Sequence, residues 1–254
     1  MYAISFLQGM VFYASISTLY RQARGLTLGQ FAVIDSISFI FTLVMEIPWG
    51  IVADTIGYRK TLILANGFYA FSKLIFLKAN SFGMFLLERF FMSLALSGLS
   101  GVDVSIIYLS CGTDNSHKVF SRANALENLG MIISTLIFSL FLADKYDLTA
   151  LFTLISFGAA FILSLFIDET KETVKEEKTV GNFKAVLQET LQDSDFLVFL
   201  LSVSLLSVGT WVITVLLPQI QYLKCGLKES MIGYCYLARS EERRVGKECR
   251  SRWS

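Results

Sequence analysis

Six ionisable residues lie within or at the edges of long apolar stretches of this chain. They are Asp35, Glu46, Glu88, Arg89, Asp103 and Glu127. An ionised side chain at the centre of a bilayer costs several kcal/mol, so such a residue usually serves an ion, a solute or a paired partner. The chemistry that carboxylates and a guanidinium can perform there is the uptake and release of a proton or of a charged solute.

Asp103 is the strongest candidate for this chemistry. If it faces the two sides of a membrane in turn, it can load a proton or a cation on one side and release it on the other. The alternative is a structural aspartate held by a donor such as Tyr108. Glu88 and Glu127 lie nearer the predicted membrane surfaces, where we expect solvated charges.

One polar helix face is predicted along the fourth apolar stretch. Its members recur at steps of four, four, three and three residues, and they are Arg89, Ser93, Ser97, Ser100 and Asp103. That spacing keeps side chains on one side of a helix, so we expect this face to line a central cavity. On the other side, Gly98 and Gly101 predict close packing against a neighbouring helix.

Asp35 and Glu46 form a second predicted pair. Eleven residues separate them, which places them about 20° apart around a helix and about 16 Å apart along its axis. We expect both carboxylates to face the interior of a bundle. The predicted substrate or proton pathway is therefore Asp35, Glu46, Arg89 and Asp103.

Other polar side chains within apolar stretches are candidates for lining a solute cavity. Hydroxyl, amide and indole groups can orient a solute, but in any helix bundle they can also bond one helix to another, and both interpretations stay open. The candidates are Gln8, Ser97, Ser100, Asn128, Thr210 and Trp211.

The composition argues against several other functions. The chain has one histidine, no nucleophile and base in a catalytic arrangement, and no P-loop, so we expect no enzymatic activity and no ATP hydrolysis. Its four cysteines lack metal-ligand spacing, so we expect no metal and no cofactor. A net charge of +1 offers no basic field for nucleic acid.

The elements that must position these residues are membrane helices. Hydrophobic residues make up 54% of the chain and the mean hydropathy is +0.58, which is more apolar surface than a soluble core of this size can bury. Membrane lipid is therefore an expected partner. We predict an all-α membrane helix bundle with seven spans, followed by the start of an eighth near 228–238. The seven lie near 2–20, 29–50, 61–79, 82–110, 121–142, 148–167 and 196–220.

Two segments differ from this pattern. Residues 168–195 alternate Lys and Glu and predict an exposed charged linker. Residues 239–254 contain nine charged residues of sixteen, where the eighth span should continue. This stretch is similar to translated adaptor or vector sequence, and the alternative is a basic cytoplasmic tail.

The connector between the predicted second and third spans carries a specific motif. It reads Gly-Ile-Val-Ala-Asp-Thr-Ile-Gly-Tyr-Arg-Lys over residues 50–60. Physically, we expect Gly50 to permit close helix packing, Gly57 to permit the turn, and Arg59 and Lys60 to contact lipid phosphates. The pattern Gly50, Asp54, Gly57, Arg59 and Lys60 resembles the corresponding loop of major facilitator superfamily transporters.

This resemblance implies two six-helix halves, each built from three-helix repeats. Residues 1–167 would be the first half, 168–195 a cytoplasmic linker and 196–238 the first helices of an incomplete second half. The loop would act as a conformational switch that latches the cytoplasmic ends of the two halves through Asp54 and Arg59. Its partner would lie in the missing part of the second half, which full function would require. Arg89 also resembles an arginine of the fourth helix that this family associates with proton coupling.

The function that follows is secondary active transport of a small solute by alternating access, coupled to a proton or another ion gradient. The expected location is the cell membrane, which in a prokaryote is the cytoplasmic membrane. The alternative is a membrane receptor or scaffold that transports nothing, or an inactive fragment.

Overall fold

The protein is described by a computed structural model over residues 1–143, 145–167, 217–228 and 230–235, together with 198, 202, 206, 209, 210 and 213. For residues 47, 104 and 109–115 only the backbone is described. This part of the chain forms helices and no strand. The predicted linker 168–195 and tail 239–254 lie outside it, as does most of the predicted seventh span, which ends in a helix at Leu217–Lys224.

Six helical segments of the described chain are long and apolar enough to cross a bilayer, and we number them spans 1 to 6. They are Tyr2–Ala23, Leu28–Glu46, Tyr58–Lys78, Phe82–Tyr108, Ser116–Leu142 and Tyr146–Leu165. Large apolar side chains cover their outer surfaces, as at Leu43 and Phe141, which are 68% and 69% exposed. A bundle of this kind needs lipid or further protein around it, so the predicted all-α membrane fold is confirmed.

Span 1 is not one continuous helix, contrary to the prediction over 2–20. It consists of a helix at Tyr2–Gly9, an irregular stretch, a short 3-10 turn at Ala14–Ile16 and a second helix at Ser17–Ala23. Bonds from other spans compensate for the break: the Phe12 N–H donates to Thr153 Oγ1 at 3.1 Å. Such interruptions are tolerated inside a membrane only where the freed backbone groups find partners.

Span 4 and most of span 5 lie within one helix, Phe82–Ile137, which also includes the residues between the two predicted spans. A straight helix of that length would extend about 84 Å. However, Asp103 and Glu127 line a single small cavity, so the two arms fold back against each other. The predicted fourth and fifth spans therefore exist as separate crossings.

The bundle has two ends, which we name after Gly25 and Gly57. At the Gly25 end, the Arg24 guanidinium donates to Asn80 Oδ1 at 2.6 Å and pairs with Asp147, joining the connectors after spans 1 and 3 to the start of span 6. At the Gly57 end, Met1, Tyr58 and Ile167 pack around one apolar cluster. Span 2 begins at the Gly25 end with a capping box, in which Thr27 and Gln30 exchange hydrogen bonds.

Candidate solute pathway

A cavity of about 410 Å³ lies between spans 1, 3, 4 and 5 and extends toward the Gly57 end. Leu96, Leu99 and Phe120 supply part of its apolar wall. A volume of this order accommodates a small molecule rather than a single ion. The polar lining consists of Ser5, Gln8, Tyr69, Ser100, Asp103, Asn124 and Glu127.

The charged side chains of this lining are both acidic. Asp103 projects from span 4 and Glu127 from span 5, and the two carboxylates interact electrostatically across the cavity. The amino group of Met1 also reaches Asp103 electrostatically, and no lysine or arginine is among the described residues that line the cavity. The cavity is therefore suited to a proton, a cation or a neutral polar solute rather than to an anion.

Three of the predicted lining residues, Gln8, Ser100 and Asp103, do line this cavity. Gln8 is oriented by Asn66 of span 3, whose Oδ1 accepts a hydrogen bond from the Gln8 Nε2 at 2.8 Å. Tyr108, the alternative partner suggested for Asp103, is 50% exposed.

The other predicted lining residues lie elsewhere. Ser97 is buried and donates to the carbonyl of Ser93 in its own helix at 2.8 Å. Asn128 is exposed and donates to the carbonyl of Asn124. Thr210 is also exposed, and Trp211 lies outside the described residues.

A buried ionic cluster occupies the opposite half of the bundle, near the Gly25 end. Arg89 Nη2 lies 3.0 Å from Asp35 Oδ1. Glu88 lies among three cations, with its carboxylate oxygens 3.6 Å from Arg21 Nη2, 4.0 Å from Lys73 Nζ and 3.7 Å from Arg89 Nε. The cluster joins spans 1 to 4 at one level of the bundle.

Aromatic rings surround the cations of this ionic cluster. The Arg21 guanidinium lies 4.7 Å from the centroid of the Phe31 ring. The Lys73 ammonium donates to the Tyr13 hydroxyl at 2.9 Å and lies 5.0 Å from the centroid of the Tyr69 ring. Cation–π contacts replace part of the hydration that these groups lose, which allows three cations to remain with only two carboxylates.

The polar face predicted along span 4 is therefore divided between two environments. Arg89 belongs to the ionic cluster, and Ser93 bonds to span 2, where its Oγ lies 2.7 Å from the Ser38 Oγ. Ser100 and Asp103, farther along the same helix, reach the cavity. The face connects the cavity to the ionic cluster instead of lining one continuous passage.

Two predictions about single carboxylates are wrong. Asp35 is buried, as expected, and the structure adds its pairing with Arg89, but Glu46 is exposed, because at its level the described chain does not cover that face of span 2. Glu88, predicted to be solvated, is 0% exposed, because cations of three spans converge on it.

Sequence reasoning missed Arg21 and Lys73 as members of the ionic cluster. A signal for Lys73 was present, since it lies inside the predicted third span and an unpaired lysine there would be costly. Arg21 lies at the end of the first span, where the sequence alone does not distinguish an interfacial cation from a buried one.

The helix of span 2 continues to Ile56 and the helix of span 3 begins at Tyr58, so the motif contains a turn of one residue, Gly57. Gly57 has a φ of +90°, a conformation that glycine adopts without strain, as predicted. Arg59 fixes the turn to span 6, because its Nε donates to the Ile167 carbonyl at 2.5 Å and its Nη2 to the Leu165 carbonyl at 3.2 Å. Its charge also complements the carboxyl-terminal end of that helix. Asp54 and Lys60 are exposed.

Helix packing at glycines follows the predictions only in part. A Cβ added at Gly98 would lie 3.1 Å from Ala65 Cβ and from the Trp49 ring, which confirms close packing there. At Gly50 and Gly101 an added Cβ meets no atom of the described residues within 4 Å, so the close approach expected at these two positions stays a prediction.

A close approach that the sequence did not reveal involves spans 1 and 5. A Cβ at Gly9 would overlap the carbonyl of Glu127, and a Cβ at Gly130 would overlap the carbonyl of Phe6. The two backbones are therefore in direct contact beside the cavity.

Comparison with known proteins agrees with this architecture. The family model described as Major Facilitator Superfamily matches residues 1–238. A search of curated proteins found no match. The match covers most of the chain, including the motif at 50–60 and all six spans. The chain therefore belongs to the major facilitator superfamily.

Proposed function

We propose that this protein is a secondary active transporter that moves a small solute across the cell membrane by alternating access. The observation that carries the proposal is the asymmetry of the bundle. An acidic cavity extends toward the Gly57 end, whereas buried ion pairs and aromatic rings fill the Gly25 end. Alternating access requires a binding cavity that communicates with one side of the membrane while the other side is closed, and this asymmetry supports it.

The cavity supplies the chemistry of solute binding in this proposal. Asp103 and Glu127 provide negative charge for a cationic group or a proton, while Gln8, Asn124 and Ser100 provide hydrogen bonds. A proton bound at Asp103 would weaken the binding of a cation there, so proton and solute can exchange at one site. Coupling to a proton or another ion gradient is the energy source that this arrangement supports.

The ionic cluster acts as the closed side of the passage. Asp35 and Arg89 pair with each other rather than face the cavity, so we assign them to the closure in this state. When the Gly25 end opens, their separation would expose both to solvent and to an incoming proton.

The turn at Gly57 acts as the switch between the two halves. Arg59 holds the turn against the end of span 6, which leads into residues 168–195. Asp54, on the exposed side of the same turn, would contact the second half. In the orientation typical of the family, this end faces the cytoplasm, and in a prokaryote the membrane is the cytoplasmic membrane.

Flux through proteoliposomes containing the full-length protein tests the proposal. Vesicles loaded with a pH-sensitive dye and with radiolabelled cationic, neutral or anionic solutes, one at a time, report proton and solute movement together. We expect movement of at least one cationic or neutral solute above protein-free vesicles. Asp103→Asn should abolish it.

The matched control for this assay is Glu46→Gln, since Glu46 is an exposed carboxylate outside the cavity. It should leave the flux near the wild-type rate. If no solute moves with wild-type protein, the proposal fails and a non-transporting receptor or scaffold becomes the better explanation. If flux persists in Asp103→Asn, that residue has no part in the pathway.

A further inference from the structure

Gln219 is a fully buried polar residue that the pathway described above does not use. It belongs to the helix Leu217–Lys224, in the part of the chain after the predicted linker, and is 2% exposed. Its side chain reaches span 1 at the interrupted stretch. The Thr18 N–H donates to Gln219 Oε1 at 2.8 Å, and Gln219 Nε2 lies 3.4 Å from the Ala14 carbonyl and from Ser17 Oγ.

The break in span 1 explains why this amide is needed. The helix Ser17–Ala23 begins inside the membrane span, and no side chain of its own N-cap position satisfies its first N–H groups. Thr18 is 0% exposed, so water does not reach its N–H group. Gln219 therefore serves as the helix cap from another part of the chain, in a place where an unsatisfied amide is costly.

The contact lies at the sealed end of the bundle. Arg21 of the ionic cluster is in the same short helix as Thr18, and its guanidinium donates to the Ser17 carbonyl at 3.1 Å. Ile232, also from the later part of the chain, is buried in the apolar cluster that contains Ile16 and Tyr20. The cap, the ionic cluster and this apolar cluster thus close the Gly25 end together.

We propose that Gln219 is a reversible latch that holds the Gly25 end closed by capping the broken first span. The inference rests on the proposed alternating access, because a passage that opens at this end must separate the helix Leu217–Lys224 from span 1. Loss of the latch shifts the population toward the state that is open at the Gly25 end.

Cysteine accessibility in the full-length protein tests the latch without any solute. Ser15→Cys, in a background without other cysteines, places a reporter in the break of span 1, where Ser15 is 1% exposed and its hydroxyl has no hydrogen-bond partner in the described chain. Ser100→Cys reports the cavity. The measurement is the rate of reaction with N-ethylmaleimide in proteoliposomes.

Gln219→Met keeps the approximate volume of the side chain and removes its hydrogen bonds. We expect it to raise the labelling rate at Ser15→Cys by about tenfold and to lower the rate at Ser100→Cys, because one end opens as the other closes. Gln221→Met is the matched control, since Gln221 lies in the same helix but is exposed, and it should change neither rate.

Two results would overturn the latch. One is equal labelling of Ser15→Cys in Gln219→Met and Gln221→Met, which would mean that the cap does not restrain opening. The other is faster labelling at both reporters, which indicates general loosening and a purely structural glutamine. If Gln219→Met does not fold, Gln219→Glu, which retains the acceptor for Thr18, is compared in the same way and should give a smaller increase. If the labelling rates change as expected but the wild-type protein moves no solute in the flux assay, the latch stands and the proposed transport function fails.

Discussion

Glu88 allows the ionic cluster to be tested quantitatively. Glu88→Gln preserves the shape of the side chain and removes its charge, leaving three cations with only the Asp35 carboxylate among the cluster residues. The formal charge of the cluster then rises from +1 to +2, since three cations were balanced by two carboxylates and are now balanced by one. Nothing else in the bundle needs to move.

The distances set the size of the expected effect. At 3.6 to 4.0 Å and an effective dielectric constant of about 20, each cation attracts Glu88 by roughly 4 kcal/mol before desolvation is subtracted. Desolvation offsets much of this, and removal of one partner from a buried pair typically costs about 3–5 kcal/mol. For a chain of 254 residues that loss corresponds to a fall in Tm of roughly 6 °C or more.

Thermal unfolding of the full-length protein in detergent micelles, followed by far-UV circular dichroism, measures this difference. Glu127→Gln is the control, because it makes the same chemical change at an exposed carboxylate of span 5 and should shift the Tm by less than about 2 °C. Adding Lys73→Met to Glu88→Gln returns the cluster to +1 and should recover part of the lost stability. A Glu88→Gln protein with the same Tm as the wild type would refute the inference that Glu88 holds the four spans together.

Two further predictions concern the turn at Gly57 and the packing of span 4. Arg59→Ala removes both hydrogen bonds to the end of span 6 and should lower the free energy of unfolding by about 1–2 kcal/mol, whereas Lys60→Ala, at an exposed neighbour, should change it by less than about 0.5 kcal/mol in the same melts. Gly98→Leu forces a side chain between spans that already touch and should cost about 1–3 kcal/mol, while Gly101→Leu, where an added Cβ meets no described atom within 4 Å, should be tolerated. Equal losses of stability in Arg59→Ala and Lys60→Ala, or in Gly98→Leu and Gly101→Leu, would contradict these contacts.

The sequence predicted the crossings well because lipid imposes a simple rule on composition. Runs of about 20 apolar residues must be helices, so all six described spans were placed close to where they lie. Span 1 was located but not its interruption. The residues around the break, Ser15 and Ser17 among them, do not forbid a helix, and the bonds that replace the missing turn come from Thr153 and Gln219, which are far away in the chain.

The site was predictable where one helix determines it and not where several converge. Asp103 and Ser100 share a face of span 4 by spacing alone, and both reach the cavity. The surroundings of Glu88 depend on how spans 1 and 3 are rotated toward span 4, and no spacing within one helix contains that information. The same limit explains the error at Glu46. The spacing correctly places Glu46 on the same helix face as Asp35, but the neighbouring spans cover that face at Asp35 and not at Glu46.

The two ends of the bundle differ in whether their carboxylates are available to a solute. Toward the Gly57 end, the described lining places no basic side chain beside the carboxylates of Asp103 and Glu127, and the Met1 amino group is the cation that reaches Asp103 there, so these carboxylates can attract an arriving cation or proton. Toward the Gly25 end, Glu88 and Asp35 are already occupied by internal cations, so they offer nothing to a solute until those pairs separate. Tyr69 of span 3 lies between the two sets, because it lines the cavity and its ring also contacts the Lys73 ammonium of the ionic cluster. Span 4 connects them as well, since it carries Asp103 at one level and Glu88 and Arg89 at the other. A solute that binds in the cavity can therefore influence the ionic cluster through the ring of Tyr69 and through movement of span 4.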